Sequence, residues 1–184
     1  MKVGIPKMTI EEWSRLPEDG NRYELIDGEL FVSPSPRPKH QDVSANLVKF
    51  LLPFVERKKL GKVYYAPFDV FLEPGSSTCV EPDILFIAAH RLHLIDEKKG
   101  MIGAPELVVE IFSESTWRVD MREKKDLYRR TGVQEYWMAD PDDRSIAVCR
   151  FAESDQPRTL TLTDTLTSPL FPGLEIPLRS VFDY

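Results

Sequence analysis

The chain has 184 residues, enough for one domain over 1–184 and too few for two comfortable ones. With 42% apolar residues it can bury an ordinary core without staples, and a formal net charge of −6 excludes a protein that grips nucleic acid by bulk positive charge. Cys79 and Cys149 lie far apart and fit free thiols in a reducing compartment, while neither a signal peptide nor a stretch of ~20 apolar residues is present, so the expected setting is the cytoplasm, with no membrane.

Thr9 and Glu12 have capping-box spacing and predict a short helix to about residue 15, ended by Pro17, Asp19 and Gly20. Residues 22–33 read as two short strands around Asp27-Gly28, a strong hairpin dipeptide. Pro34, Pro36 and Pro38 enforce an extended loop, and Val43, Leu47, Phe50, Leu51, Phe54 and Val55 then mark an amphipathic helix from His40 to Lys59, which Pro53 should kink or divide. Strand candidates follow at 62–72, 80–87 and 106–112, the last almost continuously apolar, as in a central strand covered on both faces. A second helix is expected over about 118–131, stopping at Gly132, then strands at 133–140 and 145–151 and shorter ones in the tail. The order predicts an α/β fold, a mixed β-sheet flanked by helices, with a crossover between parallel strands over 106–140.

The chemistry is carried by acids in apolar strands. Glu110 is the lone charge inside Leu107–Phe112, and Asp83 precedes Ile84-Leu85-Phe86-Ile87, with Glu81 two residues earlier on the same side of a regular strand. A buried charge is costly unless paired or bound to a cation. Two such strands make a cradle for a hard divalent ion such as Mg²⁺, which takes one or two carboxylates plus water and phosphate oxygens. Asp120, Lys124 and Tyr128 are spaced i, i+4, i+8 and share a helix face. A lysine there could orient a water and stabilise a pentacovalent phosphate. The bland alternative is solvated acids at strand ends and a surface ion pair.

These residues also carry a resemblance. Glu81-Pro82-Asp83, Glu110-Ile111-Phe112-Ser113, Asp120-x3-Lys124-x3-Tyr128 and Gly132-Val133-x-Glu135-Tyr136-Trp137, with Tyr23–Leu30 before them and Phe171–Leu174 and Val181-Phe182 after, resemble the putative restriction endonuclease family of the PD-(D/E)XK nuclease superfamily. The resemblance spans about residues 8–182 and implies a restriction-endonuclease-like core and a metal-dependent endonuclease cleaving phosphodiester bonds of nucleic acid, DNA first. It implies Mg²⁺ or Mn²⁺ as cofactor, metal ligands at Asp83 and Glu110, and Glu24 as an additional acid. The superfamily's usual lysine position, two residues after the acid, is Phe112 here. Lys124 would be the migrated catalytic lysine. Lys125 is the rival, rotated about 100° away on an ideal helix.

His40, where the resemblance places a histidine, could contact a phosphate or cap a helix. Tyr136 and Trp137 read as core, Ser113 and Ser115 as loop or capping residues, and His90 and His93 lack an acid or cysteine to complete a zinc set. The clusters Lys39, Lys49, Arg57–Lys59 and Arg118–Arg130 read as solvated helix faces or a local basic surface. Apolar residues in 159–178 suggest a homodimer. The competing functional readings are a non-catalytic binding domain retaining the nuclease fold, and a carboxylate-pair sugar hydrolase that would leave Lys124 without a role.

Overall fold

The computed structural model describes residues 7–112, 123–154 and 156–184. Thr9 caps α1 (Ile10–Trp13) through the expected reciprocal contacts with Glu12. Strands β1 (Arg22–Ile26) and β2 (Glu29–Ser33) form the expected hairpin, in which Asp27 (φ 52°) and Gly28 (φ 81°) supply the two positive φ angles of a tight turn. Helix α2 (Pro38–Lys58) starts two residues earlier than expected, with Pro38 at its first turn where a missing N–H costs nothing, and it runs on through Pro53 without division.

The main sheet has six strands in the order β11 (Arg158–Leu160), β10 (Ser145–Arg150), β9 (Glu135–Asp140), β8 (Leu107–Ile111), β5 (Ile84–Ala88), β3 (Gly61–Tyr65). Only β8 and β9 run parallel, joined through the segment containing α3 (Lys125–Thr131); the other neighbours are antiparallel. This is the mixed sheet that the strand pattern predicts. The 62–72 candidate splits: β3 joins the main sheet, whereas β4 (Val70–Phe71) joins β6 (Ile95–Asp96) and β7 (Gly100–Ile102) in a smaller one. Pro67, with no N–H to give a ladder, stands between the two. Gly61 is needed where β3 meets β5, because a Cβ there would lie 1.9 Å from the Ile87 carbonyl oxygen. The predicted helix over 118–131 is seen from Glu123 onward; residues 118–122 lie outside the described residues.

Alternation in the central strands divides the core. Ile84, Phe86, Val109, Ile111 and Trp137 face α2 and the C-terminal segment. Leu85, Ile87, Val108, Tyr136 and Met138 face the hairpin and α3, packing on Leu127 and Tyr128. Both faces of β8 are therefore covered, as its continuous apolar run requires. The apolar residues of the tail are used in the first of these cores. Leu160, Leu166, Phe171, Leu174, Ile176 and Leu178 are all buried within the chain, so they do not supply the spare surface expected for a partner. Among the described residues, no helix is long and apolar enough to cross a membrane.

Candidate active site

Glu110 sits on the α3 face of β8, one step along that face from Val108. Extending the β5–β8 register, in which Ile84 opposes Val109, brings Asp83 beside Glu110 on the same face. Glu110 thus stands on β8 and Asp83 immediately before β5, its antiparallel neighbour. Glu24 arrives from the hairpin. Its strand is fixed to the segment before β5 by reciprocal backbone bonds between Leu25 and Cys79, each 2.8 Å, and its Oε1 accepts from the Glu81 N–H at 2.9 Å.

Lys124 joins these elements. Its Nζ lies 2.7 Å from Glu24 Oε2 and 3.0 Å from Glu110 Oε1, and all three residues are buried. One turn later on the same helix face, the Tyr128 hydroxyl donates to Glu110 Oε1 at 2.6 Å. Burial and the neighbouring Glu110 and Glu24 push that phenol well above its ordinary pKa, so it stays a donor. Lys125 is half-buried and makes no hydrogen bond or ion pair among the described residues. Asp120, which shares the predicted helix face, lies outside the described residues, as do Ser113 and Ser115.

Asp83 is 3% exposed and has its own set of donors. Oδ1 accepts from Arg22 Nη1 at 2.9 Å; Oδ2 accepts from the Ile111 N–H at 2.7 Å and faces His40 Nε2 at 3.1 Å. The Ile111 bond puts a side-chain oxygen where a backbone carbonyl would otherwise continue the β5–β8 ladder. Burial pushes the Asp83 carboxyl up, but the His40 hydrogen bond, the Arg22 guanidinium and the Ile111 N–H outweigh it and hold the pKa at about 2. Mutual repulsion of the acids would have raised it; the cations in between reverse the direction. Glu81 shows the other balance. Burial raises it, and Arg22 only partly opposes.

Arg22 is the residue that the sequence reading missed. Its Nε contacts Glu81 Oε1 at 2.9 Å while Nη1 holds Asp83. Burial disfavours its charge, yet Asp83, Glu110, Glu81 and Glu24 together keep it protonated. The available signal was its spacing: Arg22 and Glu24 are alternate residues of β1 and share a face. His40 was noticed, and the structure brings it to Asp83 rather than leaving it as a cap; its Nδ1 is buried and has no hydrogen-bond partner among the described residues. Tyr136 and Trp137 are fully buried core residues, as expected, and Trp137 donates to Glu135. His90 and His93 lie on a 3₁₀ turn, Ala89–Leu94.

Three buried carboxylates from three chain segments offer hard oxygen donors. Among the described residues, no three acid, histidine or cysteine side chains form a ready metal cage. The carboxylates are instead engaged by Lys124, Arg22 and His40.

Comparison with known proteins points one way. The family described as Uma2, putative restriction endonuclease, matches residues 10–179. A solved structure titled as a putative nuclease belonging to DUF820, from Anabaena variabilis, superposes with a TM-score of 0.80 at 20% identity. That match covers 96% of this chain and 98% of the other, and at this identity it shows the shared fold. No curated protein matches.

Proposed function

The chain belongs to the Uma2 family of putative restriction endonucleases, and on that footing we propose that it is a metal-dependent nuclease hydrolysing phosphodiester bonds, with DNA as substrate and Mg²⁺ or Mn²⁺ as cofactor. The observation that carries this reading is Lys124 buried between Glu24 and Glu110, with Asp83 at the start of the neighbouring strand, one residue before β5. The donor set fits the ion, since Mg²⁺ takes one or two carboxylates and completes its shell with water and phosphate oxygens. Asp83 and Glu110 would hold it, with Glu24 as the additional acid. Bound there, the metal would polarise the phosphate and lower the pKa of a water.

The remaining work falls to the chain's own groups. Lys124 Nζ orients the attacking water. As the water oxygen bonds to phosphorus and gives up its proton to solvent, the bond to the leaving sugar oxygen breaks and that oxygen takes a proton from solvent, while the lysine's charge offsets the negative charge gathering on the phosphate. Glu24 and Glu110 hold that ammonium in place. Tyr128 fixes the Glu110 carboxylate from the helix side. Cutting both strands of a duplex calls for two such sites, which a twofold homodimer in the cytoplasm would bring together.

The test is cleavage of single- and double-stranded DNA and RNA with Mg²⁺, with Mn²⁺ and with chelator, for wild type and Asp83→Asn. We expect metal-dependent cleavage of DNA that the substitution abolishes. Cleavage unaffected by both chelator and the substitution overturns the reading. A second reading, a binding domain without catalysis, is favoured by the engagement of all three carboxylates by protein cations. Metal-independent binding of DNA without cleavage would select it.

A further inference from the structure

We propose that Arg22 is an exchangeable counter-ion of this site: it takes the cation position at Asp83 Oδ1 in the metal-free protein and passes to a substrate phosphate oxygen when a divalent ion displaces it. The inference rests on the nuclease reading and adds to it a substrate-binding residue and an order of events.

The two oxygens of Asp83 are held differently. Oδ2 is fixed by the backbone N–H of Ile111 and by His40 Nε2, so the carboxylate keeps its orientation whether or not Arg22 is present. Oδ1 has Arg22 as its partner among the described residues. Exchange at Oδ1 therefore requires no rearrangement of the sheet. A divalent ion at that oxygen would stand beside the guanidinium with like charge, and the two compete for one place.

Arg22 is also placed to leave without being lost. Its Nε is tied to Glu81 Oε1, and this outer pair is the more open part of the cluster, with side chains 17% and 21% exposed against 3% for Asp83. Released from Asp83 but tethered at Glu81, the guanidinium stays at the mouth of the site with Nη1 free to donate. Its planar fork suits phosphate oxygens, and it cannot lose its proton at working pH.

The experiment compares wild type with Arg22→Gln in two titrations. Calorimetry with Mg²⁺ alone should show the variant binding the ion on the order of tenfold more tightly, because the resident competitor is gone. Binding of a short DNA duplex in Ca²⁺, followed by fluorescence anisotropy, should be weaker in the variant by roughly tenfold or more, because a phosphate contact is gone. Opposite signs from one substitution are the signature; a merely structural arginine would weaken both. Unchanged or weaker Mg²⁺ binding in Arg22→Gln overturns the inference, as does unchanged DNA binding. If the variant does not fold, the side-chain Nη–H signals of Arg22 in wild type decide. They should shift and lose protection from exchange on addition of Mg²⁺ while the Nε–H held by Glu81 keeps its own, and Nη–H signals unmoved at saturating metal overturn the inference. Failure of wild type to bind Mg²⁺ at all would instead strike the nuclease reading.

Discussion

Replacing Lys124 by alanine tests the centre of the site on stability before any chemistry is measured. The ammonium is 2% exposed and bridges two carboxylates that are 4% and 2% exposed. Removing one partner of a buried ion pair leaves an uncompensated buried charge, which typically costs about 3–5 kcal/mol. Tyr128 still donates to Glu110 and the Glu81 N–H still donates to Glu24, so the lower end of that range is expected. For a domain of this length each kcal/mol moves the melting temperature by roughly 2–4 °C, so metal-free Lys124→Ala should melt about 10 °C lower. Mg²⁺ should then raise the melting temperature of the variant more than that of wild type, since the ion enters a site freed of a positive charge and binding to the native state adds stability. Cleavage should still fall roughly 100- to 1,000-fold, as is usual for loss of one electrostatic stabiliser. Thermal melts in chelator and in millimolar Mg²⁺, with cleavage rates alongside, give all three quantities. A metal-free loss below about 1 kcal/mol with no extra response to Mg²⁺ would refute the reasoning, because Lys124 would then not be neutralising buried acids.

Three further outcomes are expected. Asp83 has its pKa lowered from 3.8 to about 2 on folding, so the stability it contributes is present above pH 3.8 and is lost as pH falls through about 2. Acid unfolding curves of wild type and Asp83→Asn should therefore converge across that window, with a gap on the order of 2 kcal/mol above it; parallel curves would show that Arg22 and His40 do not hold the carboxylate. Tyr128→Phe keeps the ring packed edge-on to Tyr136 but removes a donor to Glu110, and should cost about 2 kcal/mol by denaturant titration. Lys125→Ala should leave both melting temperature and cleavage rate near wild type, and a dead Lys125→Ala that leaves Lys124→Ala active would reverse the assignment of the lysine.

What could be read from the sequence was local. The acid inside an apolar strand, the alternate Glu81 and Asp83, and the i, i+4 pair of Lys124 and Tyr128 are patterns of period 2 or 3.6 and need no knowledge of distant partners. The mixed sheet followed from the order of such patterns. Arg22 escaped because its partner lies 61 residues away, and His40 was singled out without its partner, 43 residues away; both contacts cross elements whose docking no local pattern specifies. The hairpin bearing Arg22 and Glu24 is outside the main sheet and is seated through Leu25 and Cys79, a pairing between a strand end and a loop. The apolar tail was misjudged for a similar reason. Hydrophobic residues in short strands reveal that they will be covered, and only the tertiary packing shows that α2 and the sheet cover them.

The bond from the Ile111 N–H to Asp83 Oδ2 makes one side chain answer to two selections. As a carpenter's peg it closes the last rung between the central strands, and as a ligand it would serve the chemistry. Asparagine, which could still accept from that N–H, is the gentlest exchange for the fabric of the sheet and at the same time a severe one for a cation. A descendant that abandoned cleavage would thus still be pressed to keep an oxygen at this position, and drift from aspartate to asparagine is the mark such a history would leave.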